Sequence, residues 1–466
     1  MITTPEASRL TPHIEREFVV SLVDRLPGQG DGEGTSVVSP FDESELIVVP
    51  VASEADVVAA VERARVAQVE WAQRSPADRK RVLSVFHDLL IDNADIAMDL
   101  VQLESGKARI PAFEEIYDTI ATTHYYLKVG PRLLRTRRRA VSLPGFTTAY
   151  ELRHPVGVVG CITPWNFPFT LSISDMIPAL LAGNGVVIKP DEKTPLSALY
   201  GARLLEEAGV PADLVQVVTG PGEAIGPTLI GAVDFIMFTG STEVGRKVAE
   251  QAGRRLIGSS MELGGKNTAI VLADADLEKT VPGISRAVFA NGGQLCIAME
   301  RIHVDESIRA EFTERFVDHT KGLVMTPGFD FSSALSSMIT REHLENVDAH
   351  VQDAMANGAT LLTGGKARPD IGPLFYEPTV LTDVDDSMEL CRSETFGPVV
   401  TIYGFESVED AVREANASEF GLNFSVWTAD TRRGMEVASL LQAGTVGVND
   451  GYAAAWSSFD APMGGM

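Results

Sequence analysis

The stretch Val156-Gly-Val-Val-Gly-Cys-Ile162 opens the part of the chain that decides the fold. It is a short apolar run, and four similar runs follow it at residues 185–189, 214–219, 235–238 and 259–263. Helical patterns at residues 172–182, 195–208, 224–230 and 243–254 separate these runs. Apolar strands that alternate with helices predict a parallel, doubly wound α/β sheet, in which ligands collect at the carboxyl ends of the strands.

Three motifs stand at those predicted strand ends. They are Pro164-Trp-Asn-Phe-Pro168, Lys189-Pro-Asp-Glu192 and Phe238-Thr-Gly-Ser-Thr-Glu-Val-Gly245. In the third motif, a Gly-Ser-Thr helix start could accept a pyrophosphate on free backbone N–H groups. An ordinary helix N-cap by Ser241 or Thr242 is the alternative interpretation. Arg246 and Lys247 follow where a P-loop needs Lys and Ser/Thr, so the motif is weak evidence for a phosphate loop.

A second alternation of strands and helices occupies residues 267–446. Strand-like runs at 268–272, 301–304, 399–403 and 445–448 alternate with helical patterns at 306–321, 341–357 and 408–415. We expect this second domain to carry the chemistry, because it contains Cys296 on the turn-prone run Asn-Gly-Gly-Gln-Leu and the motif Glu394-Thr-Phe-Gly-Pro398. Glu262, in Met261-Glu-Leu-Gly-Gly-Lys266, is a candidate general base. The local sequence of Cys296 fits a nucleophile or a small buried hydrophobe equally well.

The remaining segments flank these two alternations. Residues 1 to about 50 are predicted to form an extended arm, followed by helices at 56–73, 77–93, 96–105 and 110–129. The run Gly28-Gln-Gly-Asp-Gly-Glu-Gly34 follows no apolar strand, so it is not a dinucleotide fingerprint. Residues 140–143 and 146–153 predict a two-stranded ribbon. Because a lone ribbon is marginal in water, it favours contact with a neighbouring subunit.

Composition restricts the class of protein. A chain of 466 residues is too long for one typical core and predicts two or three domains. A formal net charge of −25 argues against a surface that binds nucleic acid, and the basic run at 132–139 lacks interleaved aromatics. The three cysteines show no disulfide framework or zinc spacing, so we expect no metal. With no signal peptide or membrane span visible, a reducing cytoplasmic location is expected.

Taken together, the chain resembles the aldehyde dehydrogenase superfamily. The resemblance rests on six motifs in the order and spacing of that family, from about residue 35 onward: 164–168, 189–192, 238–245, 262–266, 293–296 and 394–398. It implies two doubly wound α/β domains and a small oligomerisation β-ribbon, with the active site in a cleft between the two domains. We therefore expect a dinucleotide-binding domain at residues 1–134 and 155–262, a ribbon at 135–154, a catalytic domain at 263–446 and a return segment at 447–466. The tail that relatives carry beyond this segment is missing, and a homodimer or homotetramer is expected.

The resemblance also implies roles for individual residues. Cys296 would attack the aldehyde carbonyl as a thiolate, and Glu262 would activate the water that hydrolyses the resulting thioester. The side-chain amide of Asn166 and the backbone N–H of Cys296 would stabilise the oxyanion; loss of one such donor typically costs ~3 kcal/mol. A turn residue is the alternative interpretation of Asn166.

The implied cofactor is NAD, with NADP as an alternative. A carboxylate at Glu192 would accept the ribose hydroxyls beside Lys189 and repel a 2′-phosphate, although Lys193 could soften that preference. Ser241 and the N–H groups near Gly240 would meet the pyrophosphate, whereas Glu394 and Phe396 would meet the nicotinamide ribose. The full implied set of cofactor-binding residues is Ile162, Pro164, Trp165, Lys189, Glu192, Gly220, Phe238, Thr239, Gly240, Ser241, Gly245, Leu263, Glu394 and Phe396.

The sequence leaves two substrate classes open. Residues 365–379 and 461–465 are most similar to actinobacterial succinate-semialdehyde dehydrogenases, which implies oxidation of succinate semialdehyde to succinate. Yet the arginines that hold the substrate carboxylate in better-known members are replaced by Ala290 and Ser174. The implied pocket suits an apolar aldehyde equally well; it consists of Phe167, Leu171, Leu295, Ile297, Trp456 and Met463.

Three other functions are alternatives to a dehydrogenase. A CoA-acylating enzyme is disfavoured by Glu262, because a thioester kept for CoA must be protected from activated water. An inactive binding or structural homologue is disfavoured by the complete set of Cys296, Glu262 and Asn166. A cofactor-independent thiol esterase remains as a side activity.

Overall fold

The computed structural model describes residues 9–24, 26, 34–461 and 464–465. The chain divides into two compact units. The first unit consists of Met1–Val38, Glu45–Glu104 and Phe113–Met261, and the second consists of Ser39–Ser44, Ser105–Ala112 and Glu262–Met466. No helix among the described residues is both long and apolar enough to cross a membrane.

The secondary structure alternates along most of the chain. The helices are α1 (Arg16–Val23), α2 (Glu54–Gln73), α3 (Pro76–Asp92), α4 (Ala94–Ser105), α5 (Arg109–Leu133), α6 (Pro168–Ile173), α7 (Met176–Ala182), α8 (Pro195–Glu207), α9 (Gly222–Ala232), α10 (Thr242–Arg255), α11 (Leu277–Phe289), α12 (Arg309–Lys321), α13 (Arg341–Ala356), α14 (Glu389–Arg392), α15 (Val408–Asn416), α16 (Thr431–Ala438) and α17 (Ala453–Ser457). The strands are β1 (Gly34–Val38), β2 (Glu45–Pro50), β3 (Arg137–Arg139), β4 (Ala149–Glu151), β5 (Val158–Ile162), β6 (Gly185–Lys189), β7 (Val215–Val217), β8 (Phe235–Thr239), β9 (Gly258–Glu262), β10 (Asn267–Val271), β11 (Met299–Asp305), β12 (Thr360–Thr363), β13 (Thr379–Thr382), β14 (Val399–Phe405), β15 (Asn423–Trp427) and β16 (Thr445–Val448).

The first unit is built on a five-stranded sheet of order β7-β6-β5-β8-β9. Strand β5 pairs in parallel with β6 and β8, and β6 pairs in parallel with β7. Ile162 at the end of β5 is in register with Lys189 of β6 and Phe238 of β8. The three predicted motifs therefore begin at one edge of one sheet. Every residue of β6 is buried, as expected for a strand covered on both faces.

The second unit is built on a seven-stranded sheet of order β12-β13-β14-β11-β10-β15-β16. Its strands pair in parallel except for β12, which runs antiparallel to β13 at the edge. One apolar cluster packs α13 against β13 and β14, with Val347 and Val351 fully buried. Another packs α15 and α16 against β10 and β15, around Phe424 and Val426. The predicted α/β fold class is confirmed in both units.

Two predictions of secondary structure in the first unit were wrong in detail. The single helix expected at 172–182 is two helices, α6 and α7, with Ser174 and Asp175 between them. Pro178 explains the break, because proline lacks an N–H and its ring clashes with the carbonyl of the residue four positions earlier, here Ser174. The expected extended arm instead contains α1 and the antiparallel pair β1 and β2.

The predicted ribbon exists, but its first strand was misplaced. It covers Arg137–Arg139, which pairs antiparallel with Ala149–Glu151, and not residues 140–143. The carbonyl of Leu143 accepts the N–H groups of Phe146 and Thr147, so this segment forms a turn. Charge also favours the observed register, because Glu151 forms ion pairs with Arg139 and Arg153. The strands β12, β13 and β15 were not predicted.

Candidate active site

Cys296 follows a turn whose backbone only particular residues can adopt. Helix α11 ends at Phe289, and a 3₁₀ turn follows at Ala290–Gly293. Asn291, Gly292 and Gly293 all have positive φ angles, of 52°, 64° and 72°. A Cβ atom at Gly293 would lie 1.9 Å from the carbonyl oxygen of Gly397, so this position requires glycine. The turn leads the chain from the helix directly to the predicted nucleophile.

Two buried asparagines hold the loop that carries Cys296. The side-chain N–H groups of Asn267 donate to the carbonyls of Cys296 and Ala298, at 2.7 and 2.8 Å. Asn423 donates from its side chain to the carbonyl of Ile297 at 3.0 Å, and its backbone N–H donates to Asn267 Oδ1 at 2.9 Å. Sequence reasoning missed both asparagines. The available signal was an amide residue at the start of an otherwise apolar strand, where a buried polar group must find partners.

The thiol of Cys296 is buried near two carboxylates. Burial, together with the carboxylates of Glu394 and Glu262, raises the pKa of Cys296 to about 12. Burial also raises the pKa of Glu262. At neutral pH the thiol is therefore protonated, and a nearby base must take its proton before it can attack. A carboxylate with a raised pKa suits that role, since a general base works best when its pKa approaches the operating pH.

Glu394 is tied to the segment that carries Glu262. Glu394 Oε1 accepts the backbone N–H of Gly265 at 2.9 Å. Burial, together with the neighbouring carboxylate of Glu300, raises the pKa of Glu394 to about 8. A Cβ atom at Gly264 would lie 2.5 Å from Glu394 Oε2. The Gly pair therefore lets the two segments approach closely. Leu263, predicted to contact the cofactor, is half-buried beside this pair.

In the first unit, the predicted adenosine end surrounds Lys189. Lys189 Nζ donates to the carbonyl of Pro190 at 3.0 Å and lies 3.9 Å from a carboxylate oxygen of Glu192. Burial lowers the pKa of Lys189. Glu192 is half-buried and lines a small cavity with Pro190, Thr219 and Gly220. The lysine and the carboxylate, 3.9 Å apart, provide a donor and an acceptor that fit ribose hydroxyls.

The predicted pyrophosphate end surrounds Gly240. Ser241 is the N-cap of α10, and its side chain accepts the N–H of Val244 at 3.4 Å. The N-cap interpretation of Ser241 is therefore confirmed, while a pyrophosphate contact remains a proposal. Ser241 is exposed and Gly245 is buried within the first turn. The start of a 14-residue helix presents unpaired N–H groups suited to an anion. The remaining predicted cofactor-binding residues at this sheet edge are Ile162, Pro164, Trp165, Phe238 and Thr239.

The predicted substrate-side residues divide between the units. In the first unit, Asn166 is buried and Phe167 and Leu171 are half-buried, all within the β5–α6 loop and α6. The second unit contributes the buried Leu295 and Ile297 and the half-buried Trp456 of α17. Ile297 is only 3% exposed, so it offers little surface to a ligand. Met463 lies outside the described residues, as does most of the glycine-rich run at 28–34.

One position expected to hold an arginine faces an acid instead. Ser174 Oγ lies 2.7 Å from Thr170 Oγ1, which donates to Asp118 Oδ2 at 2.5 Å. Burial, together with the carboxylate of Glu115, raises the pKa of Asp118 to about 6. Within the described residues, no group of three or more His, Cys, Asp or Glu side chains could hold a metal ion.

Comparison with known proteins identifies relatives over nearly the whole chain. The model of the aldehyde dehydrogenase family matches residues 28–466. A protein of Mycolicibacterium smegmatis named "Putative succinate-semialdehyde dehydrogenase (NADP+)" is 50% identical over 426 residues, which are 91% of this chain and 82% of that protein. A Sinorhizobium fredii protein named "Probable succinate-semialdehyde dehydrogenase (NADP+)" is 36% identical over 441 residues, 94% of this chain and 88% of that one. The structure of betaine aldehyde dehydrogenase from Staphylococcus aureus in complex with NAD+ superposes with a TM-score of 0.90 at 30% identity, covering 97% and 92% of the two chains.

Proposed function

Because the chain belongs to the aldehyde dehydrogenase family, we propose that Cys296 and Glu262 oxidise an aldehyde to a carboxylic acid through a thioester. The observation that carries this proposal is the contact between the two segments that hold these residues, which lie in one unit. Asn267, five residues after Glu262, donates its side-chain N–H to the carbonyl of Cys296 at 2.7 Å. The carboxylate of Glu262 also contributes to the raised pKa of Cys296.

Each step has a residue to perform it. Once the thiol loses its proton to Glu262 or to solvent, Cys296 Sγ bonds to the aldehyde carbon and gives a thiohemiacetal. The backbone N–H of Cys296 would stabilise the oxygen that becomes negative, and the family resemblance implies the same role for the side-chain amide of Asn166. A nicotinamide cofactor held by Glu192, Ser241 and Glu394 would accept the hydride that the thiohemiacetal carbon loses, and Cys296 would then carry a thioester. Glu262, after releasing any proton taken from the thiol to solvent, takes a proton from water as the water oxygen attacks the thioester carbon. The C–S bond then breaks, the acid is released, and the proton on Glu262 returns to the thiolate of Cys296.

The enzyme uses a nicotinamide cofactor, and we propose that it prefers NAD+. Glu192 supports this preference, since its carboxylate beside Lys189 would accept ribose hydroxyls and repel a 2′-phosphate. The names of the relatives support NADP+ instead. The ratio of kcat/KM for the two cofactors decides between them.

Two substrate classes have support. The names of the relatives favour succinate semialdehyde, and this is the first substrate to test. The hydrogen-bonded row of Ser174, Thr170 and Asp118 favours an uncharged aldehyde, because an anionic substrate would approach a carboxylate there.

The test is the initial rate of NADH and NADPH formation with succinate semialdehyde and with butanal. A kcat/KM preference for the semialdehyde of about tenfold or more, ~1.4 kcal/mol, means that a cation elsewhere replaces the missing arginines. Equal values or a preference for butanal support the generalist. Absence of turnover with both, in protein whose thiol titrates, overturns the dehydrogenase proposal.

We further propose that the chain self-associates through its ribbon and acts in the cytoplasm. The ribbon and its turn expose apolar side chains that a second copy would cover: Phe146 is 90% exposed, and Leu143 and Tyr150 are each 60% exposed. The three cysteines are free thiols, which supports a reducing compartment. Sedimentation of the intact protein, compared with a Phe146→Ser and Tyr150→Ser variant, tests the association.

A further inference from the structure

A buried ion pair lies next to the proposed catalytic segments but takes no part in the chemistry above. Lys266 and Glu300 are 2% and 6% exposed, and Lys266 Nζ donates to Glu300 Oε2. Lys266 ends the segment that begins with Glu262, and Glu300 lies four residues after Cys296. A buried charge pair is costly to desolvate, so its retention calls for additional hydrogen bonds.

Those additional hydrogen bonds lead to the Glu394 loop. The backbone N–H of Thr395 lies 3.1 and 3.0 Å from the two carboxylate oxygens of Glu300. The N–H of Phe396 donates to Glu300 Oε1 at 3.0 Å. One carboxylate therefore binds a lysine and two consecutive backbone N–H groups. Hydrogen bonds to an ionised acceptor are among the stronger kinds in proteins.

The loop needs this support because its backbone is unfavourable. Phe396 has a φ of 53°, in the left-handed region that is sterically unfavourable for a non-glycine residue. His343 Nε2 lies 2.8 Å from the carbonyl of Phe396 on the other side of the peptide. Glu394 itself is fixed to Gly265, directly before Lys266. The loop is thus attached to the Glu262 segment twice, once through Glu394 and once through Glu300 and Lys266.

We propose that Glu300 is a positioning residue that orients Glu394 and Phe396 for the nicotinamide half of the cofactor. This inference rests on the proposed function, in which those two side chains meet the nicotinamide ribose. In Glu300→Gln, one amide oxygen replaces the two carboxylate oxygens shared by Lys266 and the N–H groups of Thr395 and Phe396, and the amide NH2 can bond none of these donors. The hold on Phe396 in the left-handed region is thereby weakened. The ribose contacts then loosen while the loop of Cys296, held by Asn267 and Asn423, keeps its own bonds.

The test compares Glu300→Gln with Glu311→Gln, an exposed glutamate on α12. The dissociation constant of NADH or NADPH is measured by fluorescence titration, and the reactivity of Cys296 by its alkylation rate with iodoacetamide. In Glu300→Gln we expect the dissociation constant to rise tenfold or more and the alkylation rate to change less than threefold. Glu311→Gln is expected to match the wild type in both.

The outcomes separate this inference from the proposed function. If the wild type binds neither cofactor, the proposed function fails; if it binds and a folded Glu300→Gln variant binds equally well, the inference alone is overturned. Equal loss of cofactor affinity and thiol reactivity also overturns it, because that result indicates general unfolding. Should Glu300→Gln fail to fold, the double variant Glu300→Gln with Lys266→Met removes the unpaired buried charge. Wild-type cofactor affinity in that double variant would overturn the inference, and weakened affinity with normal alkylation would support it.

Discussion

The residues proposed to bind the cofactor in the first unit differ in burial and hydrogen bonding from those that support the proposed chemistry in the second. In the first unit, the residues proposed to bind the cofactor are an exposed helix cap, Ser241, and a half-buried acid, Glu192, 3.9 Å from its lysine. In the second unit, the proposed chemical groups depend on buried polar side chains such as Asn267 and Glu300, each with several hydrogen bonds. Binding of a flexible cofactor tolerates solvent and backbone contacts, whereas bond formation at Cys296 requires fixed geometry. Substitutions in the second unit should therefore have larger effects than substitutions in the first.

The largest effect is expected at the nucleophile. Cys296→Ala removes the sulfur that forms the thioester, so we expect at least a thousandfold loss of kcat, about 4 kcal/mol. Steady-state formation of reduced cofactor measures it. Cys391→Ala is the matched control, because that cysteine is half-buried beside Asp386 and Tyr403 and takes no part in the proposed chemistry. Appreciable turnover by Cys296→Ala would contradict the thioester mechanism.

The next effect is expected at the base. Glu262→Gln keeps the shape of the side chain but cannot take a proton from water, and general bases typically contribute about 10²–10⁴-fold. We expect a burst of one equivalent of reduced cofactor per site, followed by a slow steady state in which acyl-enzyme accumulates. Rapid-mixing absorbance and mass spectrometry of the quenched protein detect the two signals. An unchanged steady-state rate would assign the base elsewhere.

The buried and acidic surroundings of Cys296 predict that its alkylation rate rises about a hundredfold between pH 7 and pH 9. With its pKa raised to about 12, only a small fraction of the thiol is ionised at neutral pH. Because the thiolate reacts, alkylation of the cofactor-free protein should accelerate about tenfold per pH unit from pH 7 to pH 9, without a plateau. The rate of inactivation by iodoacetamide measures this. A plateau below pH 8 would show that the thiol is already activated in the free protein.

A moderate effect is expected at the adenosine end of the first unit. Glu192→Ser removes the charge that would oppose a 2′-phosphate while keeping a hydroxyl for the ribose. We expect the ratio of kcat/KM for NADP+ over NAD+ to rise about tenfold, ~1.4 kcal/mol. This ratio of kcat/KM values measures how much better the transition state is bound with one cofactor than with the other. Glu223→Ser, at an exposed position on α9, is the control. An unchanged ratio would remove Glu192 from cofactor selection.

The smallest effect is expected at the helix cap. Ser241→Ala removes the acceptor of the Val244 N–H, and loss of an N-cap costs about 1 kcal/mol of stability. The backbone N–H groups at the start of α10 remain, so cofactor affinity should change less than fivefold. Thermal unfolding and a NADH titration check both values. A larger loss of affinity than at Glu300→Gln would reverse the proposed contrast between the units.

The sequence predicted helices and strands better than it predicted the long-range hydrogen bonds that hold the loops of the proposed site. Strands β6 and β16 were located to the residue, because apolar runs between turn signals are local features. The break between α6 and α7 was not predicted, although Pro178 is a local signal for a helix break. Asn267 and Glu300 were missed for a different reason: their partners lie 29 to 95 positions away, at Cys296 and Thr395. Local sequence cannot indicate such contacts, whereas Cys296 and Glu262 stand in motifs that resemblance alone could identify.

The contact between Gly293 and Gly397 limits how this enzyme could be altered by directed evolution. The carbonyl oxygen of Gly397 occupies the space in which any side chain at Gly293 would begin, and a Cβ at Gly397 would lie 2.6 Å from Val347. Neither codon can be varied in small steps, so a library randomised there should yield almost exclusively inactive clones. Diversity is better introduced at Phe167, Leu171 and Trp456, where half-buried side chains leave room for gradual change. New aldehyde preferences would then arise around an invariant glycine pair.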